Sequence, residues 1–296
     1  MHVVVTGSSG LVGAALVRRL AAQGHEVTRL VRRTPRPGEA RWNPDDGTIE
    51  TSALQRVDAV VHLAGASIAG RRWNDEYKRT LLESRLRGTK LIASTLAALD
   101  DKPSVLVSGS AIGFYGMHGD EQLDETAPAG DGFLADLCVQ WEGATAAAEQ
   151  AGIRVVRIRS GIVLSGQGGA LKKQLPLFKF GLGGRIGSGK QWQSWISIDD
   201  EVGAIIHLLS SSVSGPVNLT APNPVRQRDF ATALGRAIHR PAMLPTPAFA
   251  PKLVLGAEMA TNLVVTGQRV LPAVLLDDGF EFAYPTLEPA LAHVLA

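Results

Sequence analysis

Hydrophobic positions in the first 165 residues form short apolar runs, separated by longer stretches in which apolar residues recur every three or four positions. The short runs are rich in valine and lie at residues 3–5, 26–31, 59–63, 104–107 and 155–158. They are mostly apolar throughout and do not alternate strictly, which is typical of strands buried on both faces of a sheet. The sequence therefore predicts five strands of a parallel sheet.

The stretches between these runs have helical periodicity. The first helix begins near Leu11 and ends before Gly24, and residues 75–99 and 133–151 give two longer helices. Strands and helices thus alternate, which produces a parallel sheet with right-handed crossovers and helices on both faces. We predict an α/β, doubly wound parallel-sheet domain over residues 1–165.

The amino-acid composition of the chain changes after residue 165. Glycine-rich loops occupy residues 166–169 and 181–189, and prolines divide the last third of the chain into short elements. We expect residues 166–296 to form a smaller α/β substrate or lid region. Within it, residues 195–220 are expected to return towards the main sheet.

Composition narrows the classes of function. Hydrophobic residues make up 45% of the chain and charged residues 20%, as in folded globular proteins. Thirty Lys+Arg against 28 Asp+Glu give a formal net charge of +2, which argues against nucleic acid or membrane as a partner. Cys138 is the only cysteine, so an intramolecular disulfide is excluded, and we expect a reducing, cytoplasmic location. The histidines lack metal-ligand spacing, so we expect no metal site.

Three glycines lie between the first strand and the first helix. Gly7, Gly10 and Gly13 have the spacing G-x-x-G-x-x-G. In a dinucleotide-binding turn, the first glycine permits a tight bend, the second admits a pyrophosphate, and the third lets helix and strand pack closely. An ordinary glycine turn is the alternative, but the strand before and the helix after it favour dinucleotide binding.

The residues after the second strand indicate which dinucleotide is bound. An acidic residue there would accept the ribose 2′-hydroxyl of NAD, whereas this chain has Arg32 and Arg33. A guanidinium binds a 2′-phosphate through two hydrogen bonds, so the pair predicts NADP(H). The alternative is a solvated basic turn. The third strand ends in Leu63, Ala64 and Gly65, whose small residues let adenosine lie against the backbone.

With these residues placed, the chain resembles the extended short-chain dehydrogenase/reductase superfamily, a Rossmann-fold group of NAD(P)-dependent epimerases, dehydratases and reductases. It is most similar to an atypical epimerase-family subgroup with a C-terminal domain of unknown function. The matching strings are Arg72-Trp73-Asn74, Ser84-Arg85, Trp141-Glu142, Arg159 to Leu164, Gly181 to Gly184, Gly187 to Gly189, Ser194-Trp195-Ile196 and Gly267 to Pro272.

The resemblance implies a set of NADP(H)-binding residues. It comprises Ser9, Leu11 and Val12 in the turn, then Arg32, Leu63, Ala64, Thr80, Arg85, Ser108 and the backbone near Val163. Superfamily members often dimerise through helices that correspond to residues 75–99 and 133–151, so a homodimer is possible, but the alternating Ala and Leu of these helices serve core packing equally well.

The chain departs from the superfamily at the catalytic pair. Catalysis there needs a Tyr and a Lys four residues apart, with an acidic residue four positions after the Lys. If Glu142 is that acidic residue, the Tyr and Lys positions hold Leu134 and Cys138. A leucine has no proton to transfer, and a thiol gives no fixed positive charge. The subgroup shares this substitution.

Three hydroxyl groups are candidates to replace the pair. Ser108 and Ser110 follow the fourth strand, where superfamily members place the hydroxyl that holds the substrate oxygen. Tyr115 offers a free phenol near the site, but we favour a structural role for it over a catalytic one. His62, at a strand end, is expected to be structural more often than catalytic. Trp192 and Trp195 either wall an apolar pocket or pin their loop onto the core, and we favour the second.

Two functions remain open. The first is an NADP(H)-dependent oxidoreductase or epimerase acting on a small molecule that the sequence does not identify. The alternative is a non-catalytic NADP(H) sensor or scaffold, favoured by Leu134 and Cys138 at the catalytic positions.

Overall fold

The computed structural model describes residues 1–296. Its strands are β1 His2–Thr6, β2 Glu26–Val31, β3 Glu39–Asn43, β4 Thr48–Ile49, β5 Ala59–His62, β6 Val105–Ala111, β7 Gln122–Leu123, β8 Arg154–Ser160, β9 Ile162–Leu164, β10 Trp192–Gln193, β11 Trp195–Ser197, β12 Gly215–Leu219, β13 Val225–Arg226 and β14 Arg269–Val270. Its helices are α1 Leu11–Ala22, α2 Asp75–Ala97, α3 Phe133–Gly143, α4 Ala146–Gln150, α5 Gly169–Lys179, α6 Ile198–Ser210, α7 Gln227–Ala237, α8 Phe249–Leu255, α9 Ala257–Ala260, α10 Ala273–Asp277 and α11 Leu287–Leu295.

Eight strands form one sheet in the order β12-β8-β6-β5-β1-β2-β3-β4. All neighbouring pairs are parallel except β3 with the short β4. The strand order reverses between β1 and β5, because the chain builds outwards from β1 first on one side and then on the other. At such a reversal the crossovers diverge and leave a crevice at the carboxyl ends of the strands. The predicted doubly wound Rossmann fold is confirmed.

Both faces of the sheet are buried, because successive strand residues point to opposite sides. Val3 and Val5 pack with α1 and α6 on one face, whereas Val4 packs with α2 and α4 on the other. This explains why the strands are continuously apolar. A third buried cluster joins Trp195 to α5, α7 and α11 in the C-terminal region.

Three local features differ from the sequence pattern or extend it. The pattern did not predict β3 and β4, because strands of only five and two residues are too short to show a clear period. The single helix expected over 133–151 is divided into α3 and α4 at Thr145, whose buried hydroxyl donates to the carbonyl of Glu142. The returning strand expected in 195–220 is β12, which pairs with β8.

None of the helices has the combination of length and hydropathy that crossing a membrane requires.

A buried chain of hydrogen bonds fastens the strand ends to α2 and α3. Thr6 Oγ1 accepts the amides of Leu63 and Ala64 at 3.2 and 3.3 Å, so its own hydrogen is directed to Nδ1 of His62 at 2.8 Å. His62 Nε2 then donates to Thr89 Oγ1 at 3.1 Å. Trp141 Nε1 donates to the same hydroxyl at 3.0 Å. His62 is therefore a neutral structural residue, as expected.

The acid sensitivity of the fold should depend on His62. Burial lowers the pKa of His62 from 6.5 to about 4, so the unfolded chain binds a proton in this window that the folded chain does not. The contribution of neutral His62 to the free energy of unfolding is complete above pH 6.5. It is lost as the pH falls towards 4, and the total loss is about 3 kcal/mol. Urea unfolding across this window should therefore give a shallower pH dependence for His62→Gln than for the unmodified protein.

The matched control is His239→Asn, which changes an exposed histidine whose positive φ asparagine tolerates. This variant should keep the original pH dependence. Equal slopes for the His62 variant and the unmodified chain would show that His62 does not control acid unfolding.

Candidate functional site

The turn between β1 and α1 has space only for backbone at two of its three glycines. Gly7 has a φ of +66°, and a Cβ there would lie 2.6 Å from the carbonyl carbon of Leu63. A Cβ on Gly13 would lie 2.3 Å from the carbonyl oxygen of Gly7. Both distances are too short for any side chain, so the strand, the turn and the helix are packed backbone to backbone. A Cβ on the exposed Gly10 would have one neighbour within 4 Å, the carbonyl oxygen of Gly7 at a tight 3.2 Å, and is otherwise unobstructed.

The N-terminus of α1 is a site prepared for an anion. Its N-cap residue is Gly10, which provides no side-chain cap, and the first turn holds no acidic residue. The amides of Leu11, Val12 and Gly13 have no hydrogen-bond partner within the fold. Unpaired amides and the helix dipole together favour an anionic group at this end. Ser9 is exposed beside them.

The two arginines after β2 have different partners. Arg33 holds Glu39 through two hydrogen bonds of 2.7 Å, and Arg29 lies 2.8 Å from the same carboxylate. The hydrogen bond from Arg33 is the main reason that the pKa of Glu39 falls to about 2. Arg32 is exposed and forms no ion pair. Of the predicted pair, Arg32 alone therefore has a free guanidinium.

Arg85 on α2 is a buried cation without a counter-ion. Its Nη1 donates to the carbonyl of Leu81 at 2.9 Å, while its Nε has no partner. The guanidinium lies 4.9 Å from the ring of Trp141, and a Cβ on Gly65 would lie 3.3 Å from the Arg85 side chain. Burial lowers the pKa of this guanidinium. An unpaired buried charge costs free energy, so its position suits the anionic part of a ligand.

The other residues implied by the resemblance lie in several settings. Leu63 and Ala64 contribute the backbone that packs against Gly7. Val163 lies in β9, beside β11. Thr80 is exposed on α2, and its hydroxyl donates to the carbonyl of Glu76. Thr80 is thus the member of the set whose hydroxyl is already occupied by its own helix.

Ser108 and Ser110 lie on the same face of β6 but are not equivalent. Ser110 donates to Glu142 at 2.6 Å, so its hydroxyl is already used. Ser108 is 1% exposed, and its hydroxyl has no hydrogen-bond partner. Buried hydroxyls are normally paired, so the free hydroxyl of Ser108 is the exception that a ligand would explain.

Tyr115 belongs to a buried network and its phenol is not free, contrary to the expectation from sequence. The hydroxyl donates to Asn218 Oδ1 at 2.7 Å and accepts from Arg159 Nη1 at 3.0 Å, and the side chain is fully buried. Arg159 also forms two hydrogen bonds to Glu142 at 2.8 and 2.9 Å. Burial raises the pKa of Tyr115, so the phenol keeps its proton. The network fastens β6, α3, β8 and β12 to one another.

Leu134 and Cys138 pack where the superfamily pattern places its proton-transfer pair. A Cβ on Gly113 would lie 3.2 Å from Leu134 Cβ and 3.9 Å from Cys138 Sγ. The thiol donates weakly to the carbonyl of Ala111 at 3.7 Å, and burial raises its pKa to about 12. Neither side chain can exchange a proton near neutral pH.

The two tryptophans have separate roles. Trp195 is fully buried in the C-terminal core, which agrees with the favoured packing role. Trp192 is half-buried, and its ring lies 3.9 Å from the guanidinium group of Arg226 and 4.6 Å from that of Arg269. Its Nε1 donates to Asp120 at 3.1 Å.

Sequence reasoning missed Glu39, and it used Glu142 only to locate the catalytic pair without predicting the contacts of its carboxylate. Glu39 neutralises Arg33, and Glu142 joins Ser110 to Arg159. One signal was present, since an arginine within the apolar run of β8 requires a buried partner.

Comparison with known proteins identifies the family of this chain. Residues 3–220 match the NAD dependent epimerase/dehydratase family, and residues 246–294 match a domain of unknown function, DUF1731. The chain is 45% identical to the epimerase family protein ML0860 of Mycobacterium leprae over 98% of this chain and 94% of that protein.

Solved structures show the same relationship. The crystal structure of the human epimerase family protein SDR39U1 (isoform 2) with NADPH superposes with a TM-score of 0.92 at 36% identity, covering 99% of both chains. The nucleoside-diphosphate sugar epimerase of Corynebacterium glutamicum gives a TM-score of 0.82 at 38% identity, over all of this chain and 58% of that one. The resemblance seen in the sequence is confirmed, and the chain belongs to the NAD dependent epimerase/dehydratase family, with DUF1731 as its C-terminal domain.

Proposed function

We propose that this protein is an NADP(H)-dependent oxidoreductase or epimerase that acts on a small carbonyl or hydroxyl compound. The observation that carries the proposal is the row of unpaired amides at the start of α1, placed where the strand order reverses. The similarity to a human protein crystallised with NADPH supports the choice of cofactor.

The residues of the crevice fit the chemical groups of this cofactor. The amides of Leu11 and Val12, with Ser9, would hold the pyrophosphate at the α1 N-terminus. Arg32 would bind the 2′-phosphate, because Arg33 is already held by Glu39. The unpartnered Nε of Arg85 would meet a further polar group of the cofactor. When bound, the nicotinamide ring supplies the exchange of hydride.

Ser108 and Arg85 would take over the two tasks of the missing Tyr–Lys pair, which are to donate a hydrogen bond to the substrate oxygen and to supply a positive charge. The free hydroxyl of Ser108 can donate a hydrogen bond to a substrate oxygen and polarise its bond to carbon. The Arg85 guanidinium lies 4.9 Å from the ring of Trp141, which belongs to the same buried cluster as Cys138. Arg85 would therefore place a permanent positive charge in the region that the superfamily lysine serves.

A non-catalytic NADP(H) sensor or scaffold is the second candidate, and Leu134 with Cys138 favours it. Calorimetric titrations with NADPH and NADP⁺ separate the two functions, together with a screen of carbonyl compounds and sugar nucleotides for loss of NADPH absorbance or isomerisation. Turnover supports an enzyme. Preference for one redox state without turnover would support a sensor.

Two arginine variants should distinguish the two ends of the cofactor. Arg32→Ala should weaken NADPH binding about 10- to 100-fold, the worth of a charge-assisted hydrogen bond, and leave NADH binding nearly unchanged. Arg85→Met should weaken NADPH and NADH by the same factor of about 10 or more, because the 2′-phosphate is not its partner. Both are measured by calorimetry. Equal losses of NADPH and NADH in the Arg32 variant would contradict the assignment.

Two hydroxyl variants should separate catalysis from packing. Ser108→Ala should lower kcat about 100-fold for the first substrate identified and leave stability unchanged or slightly raised, because it removes an unpaired buried hydroxyl. Tyr115→Phe should instead lower the free energy of unfolding by about 2 kcal/mol, since Arg159 and Asn218 lose a partner. Urea unfolding measures the free energy of unfolding of both variants without any substrate. A large loss of stability in Ser108→Ala with none in Tyr115→Phe would contradict the two assigned roles.

A further inference from the structure

Exposed apolar side chains are concentrated on two segments of the C-terminal region. Residues 172–187 and 239–254 contain eight of the twelve large apolar side chains that are exposed in the whole chain. These eight are Leu177, Phe180, Leu182, Met243, Leu244, Phe249, Leu253 and Val254. Phe180 and Met243 are the most exposed, at 81% and 83%. Such concentration on one surface marks an interaction site.

The two segments lie side by side. The amide of Thr246 donates to the carbonyl of Arg185 at 2.8 Å, and the amide of Gly187 donates to the carbonyl of Thr246 at 2.9 Å. Arg240 Nε donates to the carbonyl of Lys179 at 3.3 Å. We call the two segments together the basic apolar surface.

Charge on this surface has one sign. The two segments contain no aspartate or glutamate, and each of their lysines and arginines is exposed. The six cations are Lys172, Lys173, Lys179, Arg185, Arg240 and Lys252. Because the whole chain has a net charge of only +2, the remainder carries −4. The balanced composition therefore conceals a segregated distribution of charge.

We propose that the basic apolar surface docks on an anionic phospholipid bilayer. Lysines and arginines around protruding apolar side chains are the chemistry of interfacial membrane binding, in which cations meet lipid phosphates and apolar groups enter the acyl boundary. This departs from the expectation of no membrane partner, which rested on net charge alone.

A second copy of the chain fits this surface less well. In a two-fold dimer the same patch faces itself, so six cations would face six cations with no acidic residue between them. The apolar side chains are also distributed over several elements: Phe249, Leu253 and Val254 lie on α8, Leu177 lies on α5, and the other four lie in loops. A bilayer accepts side chains from separate elements without matching pockets.

The surface also borders the cofactor cleft. Arg72 donates to the carbonyls of Leu253 and Val254, and Lys173 Nζ donates to the carbonyl of Ala69 at 2.9 Å. Residues Ala69 and Arg72 lie in the loop between β5 and α2, which begins at the carboxyl edge of the sheet. A docked bilayer would therefore lie beside the entrance to the proposed active site.

Flotation of the purified full-length protein with lipid vesicles tests the proposal. The protein should float with vesicles that contain phosphatidylglycerol, remain behind with pure phosphatidylcholine, and be released by added salt. Phe180→Ser and the pair Lys179→Gln with Lys252→Gln should each weaken binding on the order of tenfold. Val139→Ser is the matched apolar control and Arg18→Gln with Arg19→Gln the matched charge control, and both should bind normally.

Thermal unfolding of every variant verifies that the changes leave the fold intact. No binding to anionic vesicles, or equal binding to neutral ones, would overturn the proposal. So would sedimentation that shows a dimer dissociated by Phe180→Ser, because the surface would then be an interface between copies. Calorimetry with NADPH is independent of this outcome, so failure of lipid binding leaves the proposed function untouched.

Discussion

The close approach of two backbone turns is the constraint on which the rest of the site depends. The turn after β1 touches the chain after β5, and there is no room for a side chain at Gly7 between them. This contact brings the start of α1 to the crevice where the strand order reverses. Thr6 and His62, the last residues of β1 and β5, also fix this region, because their hydrogen bonds connect it to α2 and α3. The amides are therefore held in place before any ligand arrives, which lowers the entropic cost of binding.

The arginines of the site divide into paired and unpaired groups. Arg33 and Arg159 each form two hydrogen bonds to a carboxylate, which neutralises their charges within the fold. Arg32 is free in solvent, and Arg85 is buried with an unpartnered Nε. Since a buried cation without a counter-ion is costly, the unpaired charge of Arg85 supports our proposal that an anionic ligand group binds there. Our assignment of binding arginines therefore rests on which guanidinium groups lack a carboxylate partner.

The sequence predicted the parts of this arrangement that depend on neighbours along the chain. The strand–glycine–helix unit and the continuously apolar strands are local patterns, and the structure has them at the expected positions. The roles of Ser110 and Tyr115 could not be predicted in the same way, because their partners are 32 and 103 residues away. The hydrogen bonds of Arg33 to Glu39 could not be predicted for a related reason, since Glu39 lies on a strand that the pattern did not reveal. The segregation of charge on the basic apolar surface likewise becomes visible only when two distant segments are brought together.

A crystal structure of this protein grown with NADPH tests the central claim most directly. The account predicts a pyrophosphate within hydrogen-bond distance of the amides of Leu11 and Val12, a 2′-phosphate on Arg32, and a polar cofactor atom beside Nε of Arg85. Arg33 should remain on Glu39. A nucleotide bound elsewhere, or a 2′-phosphate that displaces Glu39 from Arg33 while Arg32 stays in solvent, would contradict it.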